Sequence, residues 1–379
     1  MSSSPSSESL YRSETTAISR FGRFIVAELL GPHRVLSTSS IAGGETESAR
    51  YLVNHQSCEG KAHIARHGII TDHGADHYHR FVCAEVDLPP DEVALMGTAA
   101  NMNYAALRTE QFEDLAVTAV VTAGVQGNAA CAGDPAVWHE TDDGWTKLNP
   151  HNGTINTMLL FNGPLTPAAH ARAVVTMTEA KTVALLELAT GSLYSENLAT
   201  GTGTDQFCIA APLDPTRKPK EATSPHVKLG ELIGRAVRDA TKEALRWQNG
   251  LEPSYTRGLF HALGRFGLTE TRAYEALPSL LSEADFQLLK DNEKAVFYEP
   301  GVAAAGYAFA AVLDRIRFGT LPAGLAQESL RQQAASMAVA LAAKPLEWVH
   351  FWEALQTDDD NPIDLVIQAV ALGWKSKWT

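Results

Sequence analysis

Gly153-Thr154-Ile155-Asn156-Thr157-Met158-Leu159-Leu160-Phe161 opens the segment on which the fold reading turns. A turn at Asn162-Gly163-Pro164 follows, then Pro167 and a long helical pattern carrying Thr178-Glu179-Ala180-Lys181. The segment closes with Ala199-Thr200-Gly201-Thr202-Gly203-Thr204-Asp205 and a second apolar run over 207–211. This reads as strand, helix, small-residue loop, strand. Runs of Gly, Thr and Asn or Asp at strand ends let backbone approach a ligand closely. Polar groups inside such an apolar unit need partners or a substrate.

Working outward, Thr166 is a plausible cap and Pro167 fits the first turn of a helix running to about Leu188. Its sides are nearly all apolar or small, so it is expected to be buried on several sides. Glu179 and Lys181 are two residues apart and point to different faces, so each needs a partner elsewhere. Upstream, 116–122 is an unbroken, largely β-branched run, read as a buried strand ending in Ala123-Gly124-Val125-Gln126-Gly127-Asn128. The pattern at 99–107 reads as a helix. Residues 227–246 form an amphipathic helical pattern, and beyond Gly250 strand signals vanish. The expected fold class is therefore α/β: a catalytic α/β domain, residues 20–248, with an added α-helical C-terminal domain, residues 249–379. The Ser-rich start has no apolar stretch of signal type, and 1–19 is expected to be a disordered tail.

The 379 residues carry a net charge of −13. That balance argues against nucleic acid and anionic membrane surfaces as partners, and suits a neutral or cationic small ligand. Cys58, Cys83, Cys131 and Cys208 show no zinc-ribbon or redox spacing, and reduced thiols in a cytoplasmic protein are expected.

Three chemistries are open to these residues. His63 and His67, and likewise His73 and His77, have the i,i+4 spacing of one helical face, with Asp72 and Asp76 nearby. This set reads either as a divalent metal site or as a His-rich surface loop. For nucleophilic catalysis there is no nucleophile elbow. Thr154 reads better as a β-branched strand residue, and Cys131 as an inert buried thiol. General acid–base work on an amide has its candidates in Glu179, Lys181, Asp205, Asn128, Asn156 and His226. Asn54, Gly124, Thr154, Gly201, Thr202, Gly203 and Lys228 are the candidate substrate contacts.

Taken together these motifs resemble the adenosylcobinamide amidohydrolase family. The matching residues are Thr122-Ala123-Gly124 with Asn128, Ala132-Gly133-Asp134, Gly153-Thr154-Ile155-Asn156, Thr178-Glu179-Ala180-Lys181, Ala199 through Asp205, and Lys228-Leu229-Gly230-Glu231-Leu232-Ile233-Gly234. Asn54 and Leu95-Met96-Gly97-Thr98-Ala99 match more loosely. The resemblance covers residues 24–247. It implies hydrolysis of the amide that joins aminopropanol to a corrin side chain, giving adenosylcobyric acid. The His-rich segment and the helical region after Gly250 depart from the family's core. They leave open a hydrolase of iron-siderophore amides on the same scaffold, or a non-catalytic binding protein for corrinoids or other metal chelates. The expected partner is thus a small metal-chelate substrate that itself carries cobalt or iron. A homo-oligomer is compatible with the sequence.

In an α/β sheet, loops at carboxyl strand ends converge on one crevice. Asn128, Asn156, Asp205 and the backbone of Gly201 and Gly203 are therefore expected to line one pocket. There they would hold the scissile amide, with Glu179 as base or orienting carboxylate.

Overall fold

The computed structural model describes residues 7–57, 68–70, 72–136, 138–142, 144–147, 153–356 and 361–378. The chain divides into two compact units, Met1–Leu251 and Glu252–Thr379.

Two sheets dominate the first unit. One contains β1 (Glu8–Arg12), β2 (Thr16–Phe21), β3 (Phe24–Leu29), β6 (Tyr51–Gln56) and β7 (Val93–Thr98), in that order across the sheet. The other uses β4 (His33–Ser37), β5 (Gly44–Thr46), β8 (Ala106–Phe112), β9 (Leu115–Ala123), β13 (Ile155–Phe161) and β15 (Gln206–Pro212). Its order is β5-β4-β15-β13-β9-β8. Two short ribbons complete the set, β10 (Ala129–Ala130) on β14 (Gly201–Thr202) and β11 (Trp138–Thr141) on β12 (Gly144–Lys147).

β13 and β15 are parallel neighbours joined by a crossover through helix α2 (Pro167–Glu187), whereas β9 runs antiparallel to β13. Every residue of β13 is buried, because both faces of this sheet are covered. That is why it runs apolar without alternation from Met158 to Phe161. One face, with Val120, Met158, Leu160 and Ala210, packs on Ile25, Leu52 and Met96 of the first sheet. The other, with Val121, Leu159 and Ile209, packs under α2 (Pro167–Glu187) and α3 (Lys228–Asn249). The outer face of the first sheet is covered by α1 (Ala75–Glu85), through Tyr78, Val82 and Cys83. The result is four layers: helix, sheet, sheet, helices.

Local chemistry sets the helix ends. Thr166 accepts from the Ala169 N–H, with Pro167 in the first turn. α3 stops at Gly250, whose φ of 64° is the left-handed cap conformation glycine adopts without strain.

Three expectations are corrected. Within 1–19, the residues from Glu8 onward are not a tail. β1 and β2 pair with each other and β2 pairs with β3, burying Ile18 in the inter-sheet core. The pattern at 99–107 is not a helix. A single turn at Met102–Tyr104, with the Asn101 side chain accepting from Asn103 N–H, leads into β8. There pairing of all of β8 with residues 115–121 of β9 overrides local propensity. Third, α2 buries one face only. Val175, Val183 and Leu186 are exposed on its outer side.

The second unit is helical among its described residues. Its longest helices are Pro300–Arg317, Ala323–Ala342 and Pro362–Lys377. They bury Phe309, Met337, Leu341 and Trp374, together with Phe297 and Phe351, in one core. The Trp374 indole donates to the Asp285 carbonyl at 2.9 Å, which satisfies its one polar group. Among the described residues no helix is long and apolar enough to cross a membrane.

Candidate active site

The two small-residue loops meet directly. Ala129 and Ala130 of β10 pair antiparallel with Thr202 and Gly201 of β14. The reason differs from the one expected. Residues 200–205 and 153–154 precede β15 and β13, at amino strand ends, while 124–128 follows β9 at its carboxyl end. Because β9 is antiparallel to β13, these ends share one edge of the sheet.

Asp205, just before β15, is the hub of that edge. Its Oδ1 accepts from Ile155 N–H at 3.0 Å and from the Thr202 hydroxyl at 2.5 Å. Its Oδ2 accepts from Thr202 N–H at 3.1 Å and pairs with the Lys181 ammonium, delivered from α2. A side chain on Gly201 would not fit here. A Cβ at that position falls 2.4 Å from Asp205 Oδ2 and 2.8 Å from Lys181 Nζ. Glycine is thus what allows backbone, carboxylate and ammonium to close on one another.

Behind this cluster, on the inter-sheet side, lies a fully paired polar row. Asn156 is in register with Thr122 on one side and Gln206 on the other. Asn156 Nδ2 donates to Asn54 Oδ1 at 2.9 Å and to the Gly97 carbonyl at 3.0 Å. Asn54 Nδ2 donates to Thr122 Oγ1 at 2.8 Å, and Gly97 N–H donates to Gln206 Oε1 at 2.9 Å. Asn54 and Asn156 are buried, so these bonds fix the register of one sheet on the other at the site end. They are framework and do not reach the cavity.

Asn128 is similarly committed. Its amide donates to the Gly153 carbonyl at 2.8 Å, and its oxygen accepts from the Tyr194 hydroxyl at 2.7 Å. Tyr194 belongs to the connection between α2 and β14. The same connection supplies Ser192, which donates to Asp134 Oδ2 at 2.5 Å. Burial acts to raise the Asp134 carboxyl pKa, but hydrogen bonds from Ser192, Ser195, the Cys131 N–H and Asn197 outweigh it and lower it. Burial and the Asp134 charge push the Tyr194 phenol up.

A cavity of about 780 Å³ opens over this floor, lined among others by Lys181, Thr202, Asp205, Cys131, Tyr194 and Trp138. A smaller hollow of about 180 Å³ shares Thr178, Lys181 and Asp205 with it, so the ion pair stands between the two. A third, of about 390 Å³, shares Gln206 with the second and is lined by His55, Tyr78 and His79. Burial lowers the His55 pKa to about 4, keeping the ring neutral.

Of the candidate residues, Lys181, Asp205, Gly201, Thr202 and Gly203 line the large cavity. Asn128, Asn156, Asn54 and Thr154 are buried and support it from below. Gly124 is tied back to the Thr154 carbonyl. Glu179 is exposed on the outer side of α2 and lines none of these three hollows. His226 is exposed, and Lys228 pairs with Glu231 and covers the Phe112 ring at 4.6 Å. Both are removed from the cavity. Lys228 lines a separate hollow with Leu115 and Lys220, at the end of the sheet where β9 begins. α3, about 33 Å long at 1.5 Å per residue, carries them away. Only its far end reaches the site region, where Asn249 Oδ1 accepts from Val125 N–H at 3.0 Å. Of the His set, His63 and His67 lie outside the described residues. The His73 and His77 rings lie 4.9 Å apart, tilted at 45°, and among the described residues no group of three His, Cys, Asp or Glu converges as a metal set.

The profile of the family described as adenosylcobinamide amidohydrolase matches residues 8–253. The chain belongs to this family. The match spans the four-layer unit from β1 onward and takes in only the first two residues of the helical unit. A protein of Methanocaldococcus jannaschii described as uncharacterized is 35% identical over 189 residues, 48% of this chain and 73% of that protein. The family is one of amidohydrolases, so its chemistry is hydrolysis of an amide bond.

Within the family's motifs, the cavity floor uses Lys181 from the helix, residues 200–203 and Asp205. Sequence reasoning missed Tyr194, Thr182 and Trp138, which also line the cavity. The available signal for Tyr194 was position: an aromatic in a polar loop, between α2 and the Gly/Thr run. Cys131, expected to be an inert buried thiol, is half-buried and lines the cavity, because Asp134 holds its N–H in a tight turn at 2.7 Å.

Proposed function

We propose that this chain hydrolyses the aminopropanol amide of adenosylcobinamide or cobinamide, releasing adenosylcobyric or cobyric acid. The observation that carries the reading is the Lys181–Asp205 pair on the floor of a cavity of about 780 Å³, inside the segment the family matches. An amide carbonyl develops negative charge on oxygen as it is attacked. A fixed cation in a partly dehydrated site stabilises that charge. Lys181 has three N–H donors, and one is engaged by Asp205. The others are available to the carbonyl oxygen. Asp205 aims the ammonium and takes up the proton that the reaction releases. Thr202, Gly203 and Tyr194 shape the wall against which the corrin side chain lies. The net charge of −13 suits a cationic corrinoid. Cobalt enters as part of the substrate.

The test is incubation of purified protein with cobinamide and adenosylcobinamide, read by mass spectrometry. A product with a free carboxylate, together with released aminopropanol, is expected. A shifted corrinoid spectrum with no new product would replace the enzyme by a binding protein.

A further inference from the structure

We propose that Thr202 is the nucleophile of this hydrolase, a deepening that rests on the amidohydrolase reading above. The cavity wall offers several hydroxyls, and their partners separate them. Thr178 donates to the Val174 carbonyl at 2.8 Å, within its own helix. Thr182 donates to the Thr200 carbonyl at 3.0 Å, and Tyr194 to Asn128 at 2.7 Å. Thr200 Oγ1 accepts from Ala132 N–H at 2.9 Å. The Cys131 thiol turns to the Ala132 carbonyl at 3.7 Å. The partners named for these groups are neutral. Thr202 Oγ1 donates instead to the Asp205 carboxylate, at 2.5 Å. A hydroxyl becomes a useful nucleophile when a base holds its proton. Here the base is in place, and the short, charge-assisted bond is of the strong kind.

The second oxygen of the same carboxylate holds Lys181, which also lines the cavity. Hydroxyl, base and cation therefore share one carboxylate, and Gly201 leaves the space in which they close. In the step proposed, Thr202 Oγ1 bonds to the amide carbon while its proton passes to Asp205. Lys181 N–H groups take the negative charge on the carbonyl oxygen. The carbon–nitrogen bond then breaks, and the Asp205 proton goes to the leaving amine. This leaves the acid moiety as an ester on Thr202. Water attacks that ester, gives one proton to Asp205, and the carboxylate product leaves as Thr202 recovers its hydroxyl hydrogen. No oxidant or reductant is needed.

The experiment uses the full chain and two acyl donors, cobinamide and p-nitrophenyl acetate. Acid-quenched samples are digested and the peptide containing residue 202 is weighed. Turnover in hydroxylamine is screened for the corrinoid hydroxamate. The expected result is an acyl adduct on Thr202 and hydroxamate formation. Thr202→Val is expected to lose at least about 10³-fold in turnover, with Thr202→Ser keeping the adduct. Cobinamide left untouched, with p-nitrophenyl acetate still labelling Thr202, would overturn the substrate reading and uphold the nucleophile. Cobinamide turnover with neither adduct nor hydroxamate overturns the nucleophile and upholds the hydrolase. So does a Thr202→Val protein that keeps turnover within about tenfold of the parent. In either case Thr202 merely braces the Asp205 turn. A Thr202→Val protein that melts below the parent is judged on the Thr202→Ser protein, where loss of both adduct and turnover also counts against the proposal.

Discussion

The ammonium of Lys181 and the carboxylate of Asp205, 24 residues apart, meet with side chains only 14% and 17% exposed. The pair ties α2 to the loop before β15, and through Ile155 N–H to the start of β13. Removing one partner leaves the other charge under-compensated in a partly dehydrated place. The cost for a fully buried pair is roughly 3–5 kcal/mol, and residual solvent access reduces it to about 2 kcal/mol here. Asp205→Asn and Lys181→Met are each expected to lower the melting temperature and to cut turnover at least about 10²-fold. The double variant should recover part of the stability and none of the turnover. A folded Asp205→Asn enzyme at full rate would remove the pair from the chemistry.

Gly201→Ala isolates the geometry from the charges. The backbone there is ordinary, yet the added methyl must push aside Asp205 or Lys181, with gaps of 2.4 and 2.8 Å. Overpacking of this kind costs about 1–3 kcal/mol. Turnover is expected to fall more than tenfold, an order-of-magnitude figure for a misaligned catalytic group. Gly203→Ala is the milder counterpart, since its methyl meets Asn128 Oδ1 at 3.3 Å, and a shift of a few tenths of an ångström would relieve the contact. Equal effects from the two substitutions would show that the Gly201 clearance is unimportant.

The parts of this molecule legible in the sequence are those with an internal period. β13, α2 and β15 form a parallel pair with a helical crossover, and their apolar runs, cap and turn residues declare it. β8 was not legible, because its strand character comes from lying along β9, a tertiary fact. The site divides the same way. Residues 200–205 announce themselves by composition, and Lys181 by an unpaired charge on an apolar helix. From the sequence Asn156 is expected to hold the scissile amide, but its partners, Asn54 and Gly97, belong to the other sheet. No spacing along the chain reveals which sheet face will be covered. The exposure of Glu179 was not legible for the same reason, since the pattern of α2 does not say that only one side is packed.

Glu179→Gln is accordingly expected to be silent. The side chain is exposed and lines none of the three hollows at the site, so the charge is solvated. Turnover within about twofold of the parent is expected, in line with surface substitutions remote from a site. Steady-state kinetics on cobinamide check this, and a loss near 10²-fold would restore Glu179 as an acid–base group.

The histidines give the first unit a dependence on pH. His55 and His170 are both fully buried, and burial lowers each pKa to about 4. Neutral His55 is fixed by its neighbours, with Nδ1 at 3.1 Å from the Met96 carbonyl and Nε2 at 2.8 Å from the Tyr78 hydroxyl. The carbonyl can only accept, so Nδ1 carries the hydrogen and Nε2 accepts from Tyr78. In the unfolded chain each ring titrates near 6.5, so on acidification the unfolded state takes up protons before the folded one. The stability is therefore fully present above pH 6.5 and is lost as pH falls toward 4. By pH 5 each histidine removes about 2 kcal/mol, from the standard linkage relation. Ordinary carboxylates titrate mostly below this window, which makes pH 5 to 7.5 the informative range. The urea midpoint, read from hydrogen exchange in the β6 and β7 peptides, should drop across it. Burial lowers the His33 and His79 pKa values in the same direction. His55→Gln keeps a donor and an acceptor but cannot titrate, so its midpoint should change less than the parent's by the share His55 contributes. A His55→Gln protein with the parent's full pH dependence would mean that His55 is already solvated in the folded state, contrary to its burial between β6, β7 and α1.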